Sequence, residues 1–142
     1  MITLGPLVAL DRVVGVEPGH RATALRNVPH TLDIFDSHFP RRPVLPGVLV
    51  LGSIAELAGV VLTARPGAVW KLTRADRIRY RHFIEPGDQM EIEVEVKDLN
   101  EPQATLKAVV RVDERVVTSV GTLVMTLTQV ASQDSAAAGR PS

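Results

Sequence analysis

Cysteine is missing from the 142 residues, which excludes disulfides, zinc–thiolate sites and a thiol nucleophile. Net charge is missing too. Sixteen Lys and Arg balance sixteen Asp and Glu, so no global field draws the chain to nucleic acid or to a membrane, and any basic site must be local. The longest apolar run, residues 44–62, is broken by Pro46, Ser53 and Glu56, and it suits a buried core helix better than a membrane crossing. The opening Met1-Ile2-Thr3-Leu4-Gly5-Pro6 has neither the charged nor the apolar region of a secretory signal, so the expected location is cytoplasmic. Phosphate-binding glycine loops, a Ser-His-Asp order and nucleic-acid modules are absent. His20, His30 and His82 share no metal-ligand spacing and read as structural or surface residues.

What is present fits one globular domain. The length suffices for a single core, and 45% hydrophobic with 23% charged residues is an ordinary balance. Residues 1–130 are expected to form that domain. The segment 131–142, Ala-Ser-Gln-Asp-Ser-Ala-Ala-Ala-Gly-Arg-Pro-Ser, lacks apolar anchors and is expected to be a disordered tail. Asp11 to Glu17 alternates apolar and polar residues, Pro18-Gly19 marks a turn, and Arg21 to Val28 reads as a second strand. A long connection, 29–45, carries Asp33, Asp36 and His38; ordered connections of such length are often functional. A helix is expected over Pro46 to Ala64, apolar nearly all round and hence buried on most sides. Val69 to Tyr80 reads as one long strand with a basic outer face. Met90, Ile92, Val94 and Val96 alternate with Glu91, Glu93, Glu95 and Lys97, the pattern of a strand with one face buried. Ala104 to Val112 and Arg115 to Thr128 form a hairpin around Asp113-Glu114, rich in valine and threonine. The order β-β-α-β-β-β-β predicts an α+β domain, an antiparallel sheet wrapped around one long central helix.

The chain is organised around His38-Phe39-Pro40-Arg41-Arg42-Pro43-Val44-Leu45-Pro46-Gly47-Val48-Leu49. Its prolines fix φ and bias the residues before them toward extended backbone. Pro46 stands at the head of the helix, where its missing N–H is no loss. The stretch therefore reads as a rigid loop that delivers an imidazole beside a helix start. Free N–H groups and a partial positive charge at that start suit a polarised carbonyl oxygen or an anion.

This stretch, H-F-P-x-R-P-V-x-P-G-V-L, resembles the signature of the FabZ-type 3-hydroxyacyl-[acyl-carrier-protein] dehydratases, members of the hot-dog fold. The resemblance extends upstream through Pro6 to Val13, Val16 to Gly19 and Arg26-Asn27-Val28, and downstream through Arg79-Tyr80-Arg81 and Pro86-Gly87-Asp88-Gln89. It implies dehydration of 3-hydroxyacyl thioesters to trans-2-enoyl thioesters in fatty acid or polyketide biosynthesis. It implies no metal or redox cofactor, the substrate being carried on the phosphopantetheine arm of acyl carrier protein. By the same resemblance His38 takes the α-proton, work that suits an imidazole near neutral pH. The N–H of Gly47 hydrogen-bonds the thioester oxygen as enolate character develops, glycine allowing the close approach, and Val48 shares that role. Phe39, Arg42, Pro46, Val48 and Gly52 are the expected substrate-binding positions.

One departure matters. The family's catalytic glutamate stands fourteen residues after its histidine, and here that position is Gly52. A positioned acid contributes roughly 10²–10⁴-fold in rate. Glu56 is the sequence's candidate replacement, on the same helix face one turn further on, although one turn sets it about 5.4 Å away. Its bland alternative is a carboxylate paired with an arginine across a subunit contact. A one-histidine mechanism, with the proton relayed through water near Ser53, is the other alternative. The arginines Arg41, Arg42, Arg74, Arg77, Arg79 and Arg81 read either as a solvated face or as a basic rim for acidic acyl carrier protein. The family implies a homodimer or a larger assembly of dimers; Gly52 keeps open a weakened subunit that forms a heterodimer with an active homologue, and Glu56 keeps open an acyl thioesterase. No nucleic-acid or membrane partner is expected.

Overall fold

The computed structural model describes residues 9–29, 45–63 and 67–129. The expectations for His38, Phe39, Arg41, Arg42, Asp33 and Asp36, and for the tail from 131, lie outside the described residues. Six strands and one helix are formed: β1 (Arg12–Glu17), β2 (Arg21–Asn27), α1 (Gly47–Leu62), β3 (Ala68–Tyr80), β4 (Gln89–Asn100), β5 (Gln103–Val112) and β6 (Arg115–Gln129). The strands make one antiparallel sheet in the order β1-β2-β4-β5-β6-β3. The expected α+β order holds, and element bounds agree to within a few residues.

Alternation sets which face of each strand meets the helix. On β4, Met90, Ile92 and Val94 are buried, while Glu91, Glu93 and Glu95 point outward to cations of β5. Arg111 Nη1 lies 3.1 Å from Glu93 and 3.7 Å from Glu91, and Lys107 Nζ lies 3.2 Å from Glu95. On β5, Ala104, Leu106, Ala108, Val110 and Val112 face the core. The β5–β6 hairpin turns on Asp113 (φ 52°) and Glu114 (φ 66°). Two left-handed residues in a two-residue loop match the right-handed twist of the strands they join.

The helix buries Leu49, Val50, Ser53, Ile54, Leu57, Ala58, Val61 and Leu62. The expectation that it is buried on most sides is corrected: Val48 is 67% and Val60 41% exposed, and Glu56 is exposed as well. One sheet covers one side of a helix, and no second layer of the described chain packs on the other. β1 forms as expected and pairs with β2 as a hairpin, but every one of its six residues is exposed. It is an edge strand, and a register shift between Val13 and Gly15 breaks its alternation.

Beneath the helix stands a residue whose burial the sequence does not announce. Arg26 occupies an inward position of β2 and is 2% exposed. Its Nη1 donates to Ser53 Oγ at 2.8 Å. Burial pulls its pKa down from the usual arginine value, opposed by the charge of Asp11.

Candidate active site

The head of α1 is shaped by what it lacks. Pro46 is the cap residue, at φ −61° and ψ 143°, with no side-chain cap bond and no acidic residue in the first turn. The carbonyl of Pro46 accepts from Leu49 N at 3.0 Å and Val50 N at 3.3 Å. The N–H groups of Gly47 and Val48 have no acceptor among the described residues, as the first turn of a helix dictates. They carry the positive end of the helix dipole, so they can donate to an oxygen that gains negative charge.

A cavity of about 290 Å³ opens at this point, with Pro46, Gly47, Val50, Tyr80, His82 and Phe83 in its wall. Tyr80 packs directly over Gly47. A Cβ at position 47 would stand 2.8 Å from Tyr80 Cζ and 2.9 Å from its hydroxyl oxygen, so only glycine leaves room for the ring. The hydroxyl donates to the Gly47 carbonyl at 3.3 Å. Burial raises the Tyr80 pKa above the ordinary phenol value. The end of β3 and the segment after it are held against the sheet by Arg81 N and His82 N, which donate to Val117 O at 2.8 and 3.4 Å.

The candidate residues are distributed as follows. Gly47 and Pro46 meet in this cavity, and Val48 is on the exposed side of the first turn. Gly52 is half-buried along the helix. Glu56 lies elsewhere, in a separate groove of about 510 Å³ with Ala55, Gly59, Val60 and Trp70. The nine residue steps from 47 to 56 amount to roughly 13 Å along the helix axis. From sequence His82 reads as structural or surface and Tyr80 has no role; His82 is indeed exposed, and its place at the helix head follows from the pairing of β3 with β6 and from Leu45 N donating to Ile84 O at 2.6 Å. A histidine and a tyrosine two residues apart were the available signal.

On the opposite face of the sheet, Arg77, Arg79, Arg81, Lys97 and Lys107 surround a concavity of about 390 Å³. Arg77 has φ 56°, its side chain lies over Gly121, and its Nη2 donates to Thr122 Oγ1 at 2.7 Å. Lys107 pairs with Glu95; Arg79, Arg81 and Lys97 have no ion pair among the described residues. Arg74, counted in the basic face from sequence, is neutralised by Asp76 at 2.7 Å.

Comparison with known proteins gives the relatives of this arrangement. A FabA-like domain profile matches residues 3–121. The 3-hydroxyacyl-[acyl-carrier-protein] dehydratase FabZ of Bacillus pumilus (strain SAFR-032) is 37% identical over 114 residues, spanning 78% of this chain and 79% of its own. The FabZ of Oceanobacillus iheyensis is 32% identical over 114 residues, spanning 78% of this chain and 81% of its own. Among solved structures, the dehydratase heterocomplex ApeI:P from Xenorhabdus doucetiae superposes with a TM-score of 0.71 at 14% identity, over 87% of this chain and 85% of that chain. That likeness shows the shared hot-dog fold. With the profile covering most of its length and this identity to FabZ proteins, the chain belongs to the FabA-like family, among the FabZ-type 3-hydroxyacyl-[acyl-carrier-protein] dehydratases.

Proposed function

We propose that this chain dehydrates 3-hydroxyacyl thioesters of acyl carrier protein to trans-2-enoyl thioesters, as a hydro-lyase of fatty acid biosynthesis. The observation that carries the reading is the uncapped first turn of α1 opening into an apolar cavity beside Gly47. His38 takes the α-proton, and the Gly47 N–H stabilises the thioester oxygen as the C–H electrons move toward it. Phe39, Pro46, Val48, Gly52 and Arg42 are the substrate-binding positions of this reading. The reaction moves protons between side chains and substrate, so its chemistry calls for no metal or redox cofactor. No helix among the described residues is long and apolar enough to cross a membrane, in keeping with a cytoplasmic place of work.

The basic concavity around Arg77, Arg79 and Arg81 supports docking of an acidic carrier protein. Charge complementarity of this kind speeds encounter and falls with salt. The exposed stripe of α1 and the free edge of β3 support pairing of two chains into a dimer, or a larger assembly of dimers, with each site drawing on both.

A second reading is favoured by Gly52: a subunit weakened in catalysis that pairs with an active homologue. Dehydration of a 3-hydroxyacyl carrier-protein thioester by the purified chain separates the two. Turnover by wild type, lost in His38→Ala, supports the enzyme. No turnover alone, restored on adding a homologous subunit, supports the partner. Glu56→Gln, measured alongside, tests the carboxylate one turn beyond Gly52; release of free thiol instead of an enoyl product would mark a thioesterase.

A further inference from the structure

Position 52 carries no acid, yet the departing hydroxyl needs a proton. Among the described residues, the cavity at the helix head holds few groups able to give one. Glu56 lines a different groove. The Tyr80 hydroxyl already donates to the Gly47 carbonyl, and its burial makes it a weaker acid than an ordinary phenol. Thr118 is a buried alcohol, far too weak an acid for the task. His82 is left. It stands in the wall of the Gly47 cavity and also in the wall of a second cavity of about 430 Å³, with Arg81, Glu85, Asp88, Asp113 and Arg115 around it. His82 is exposed, so solvent reaches it from the charged side while substrate occupies the apolar side. Imidazole is the side chain best able to give up a proton and regain it near neutral pH.

We propose that His82 is the proton donor to the leaving hydroxyl, filling the chemical place that Gly52 vacates. This rests on the dehydratase reading above. His38 removes the α-proton, the C–H electrons pass through the thioester enolate, and they return to form the C2–C3 double bond. The C3–O bond breaks with its electron pair on oxygen, and the Nε2 or Nδ1 proton of His82 converts the departing hydroxide to water. One proton is gained by His38 and one lost by His82. Solvent exchange resets both.

The test uses the full-length chain and two substrates that differ only at C3. The first is the 3-hydroxyacyl thioester. The second is its 3-chloro counterpart, whose chloride leaves without a proton; rates are taken above spontaneous elimination. Wild type, His82→Asn, His82→Gln and His38→Ala are compared. We expect His82→Asn and His82→Gln to lower kcat on the hydroxy substrate by about 10²-fold or more and to leave chloride elimination within threefold of wild type. His38→Ala should abolish both. Equal loss on both substrates in the two His82 variants would make His82 structural and overturn the inference. Unchanged hydroxyl elimination would overturn it too, while the dehydratase reading stands. An inactive wild type refutes that reading, and the inference with it.

Discussion

Gly47→Ala separates stability from catalysis in a way the structure allows to be worked out. The new methyl would meet Tyr80 Cζ at 2.8 Å and Cε1 at 3.0 Å, where optimal carbon contacts are about 3.5–4.0 Å. Something must move by roughly 1 Å. The ring is the far end of a side chain that is 51% exposed, so it swings outward and the helix stays in place. The loss is the Tyr80–Gly47 hydrogen bond of 3.3 Å, about 0.5–1.5 kcal/mol. Alanine in place of glycine returns part of the about 1 kcal/mol that the exchange is worth inside a helix, since Gly47 is its first residue. The two partly cancel, and unfolding in denaturant should stay within about 1 kcal/mol of wild type. Catalysis has no such compensation. A displacement of about 1 Å at the walls of a site is of the size that reduces rate by about 10²-fold. kcat/KM on a 3-hydroxyacyl thioester should therefore fall by that order while the midpoint hardly shifts. Tyr80→Ala removes the clash with the methyl, so the double variant should lose less than the two single losses combined. A loss of several kcal/mol in Gly47→Ala, unaltered turnover, or additive losses in the double variant would refute the reasoning.

Other consequences are open to direct measurement. Tyr80 is the one tyrosine of the chain, so phenolate absorbance reports it alone; it should ionise above the ordinary phenol midpoint near 10. Because the folded state favours the neutral form, the associated stability is complete below that midpoint and is lost as pH rises through the higher folded value. Ser53→Ala removes the acceptor of the buried Arg26 guanidinium and should destabilise by about 1–3 kcal/mol in denaturant melts. Adding Arg26→Met should recover part of that loss, since a buried charge exchanged for an apolar residue is often neutral or stabilising. Arg79→Glu with Arg81→Glu should raise KM for the carrier-bound substrate and flatten its salt dependence. The same pair should leave a small thioester without carrier unaffected, and an equal rise on both substrates would refute docking at this face.

The alternation of Met90, Ile92 and Val94 with Glu91, Glu93 and Glu95 was legible because a strand has only two faces and each needs one kind of solvent. The helix start at Gly47 was legible from Pro46 and the apolar run behind it. The exposed stripe of α1 was not. Periodicity reports which residues are apolar, and says nothing of how many layers the chain supplies to cover them. Arg26 was likewise hidden, since an arginine at an inward strand position becomes intelligible only once Ser53 is seen opposite it.

Local chemistry along the chain thus determined the element order, the hairpin on Asp113-Glu114 and the identity of the helix head as a donor of N–H groups. Those depend on backbone geometry and nearest-neighbour preference, which act over a few residues. Tertiary structure alone decided that Tyr80 closes over Gly47, that His82 shares its cavity, and that Glu56 does not. Residues 47 and 82 are brought together by β3 returning along β6 and by Leu45 N donating to Ile84 O, contacts between segments far apart in sequence, and no local preference encodes which side chains such contacts will set face to face.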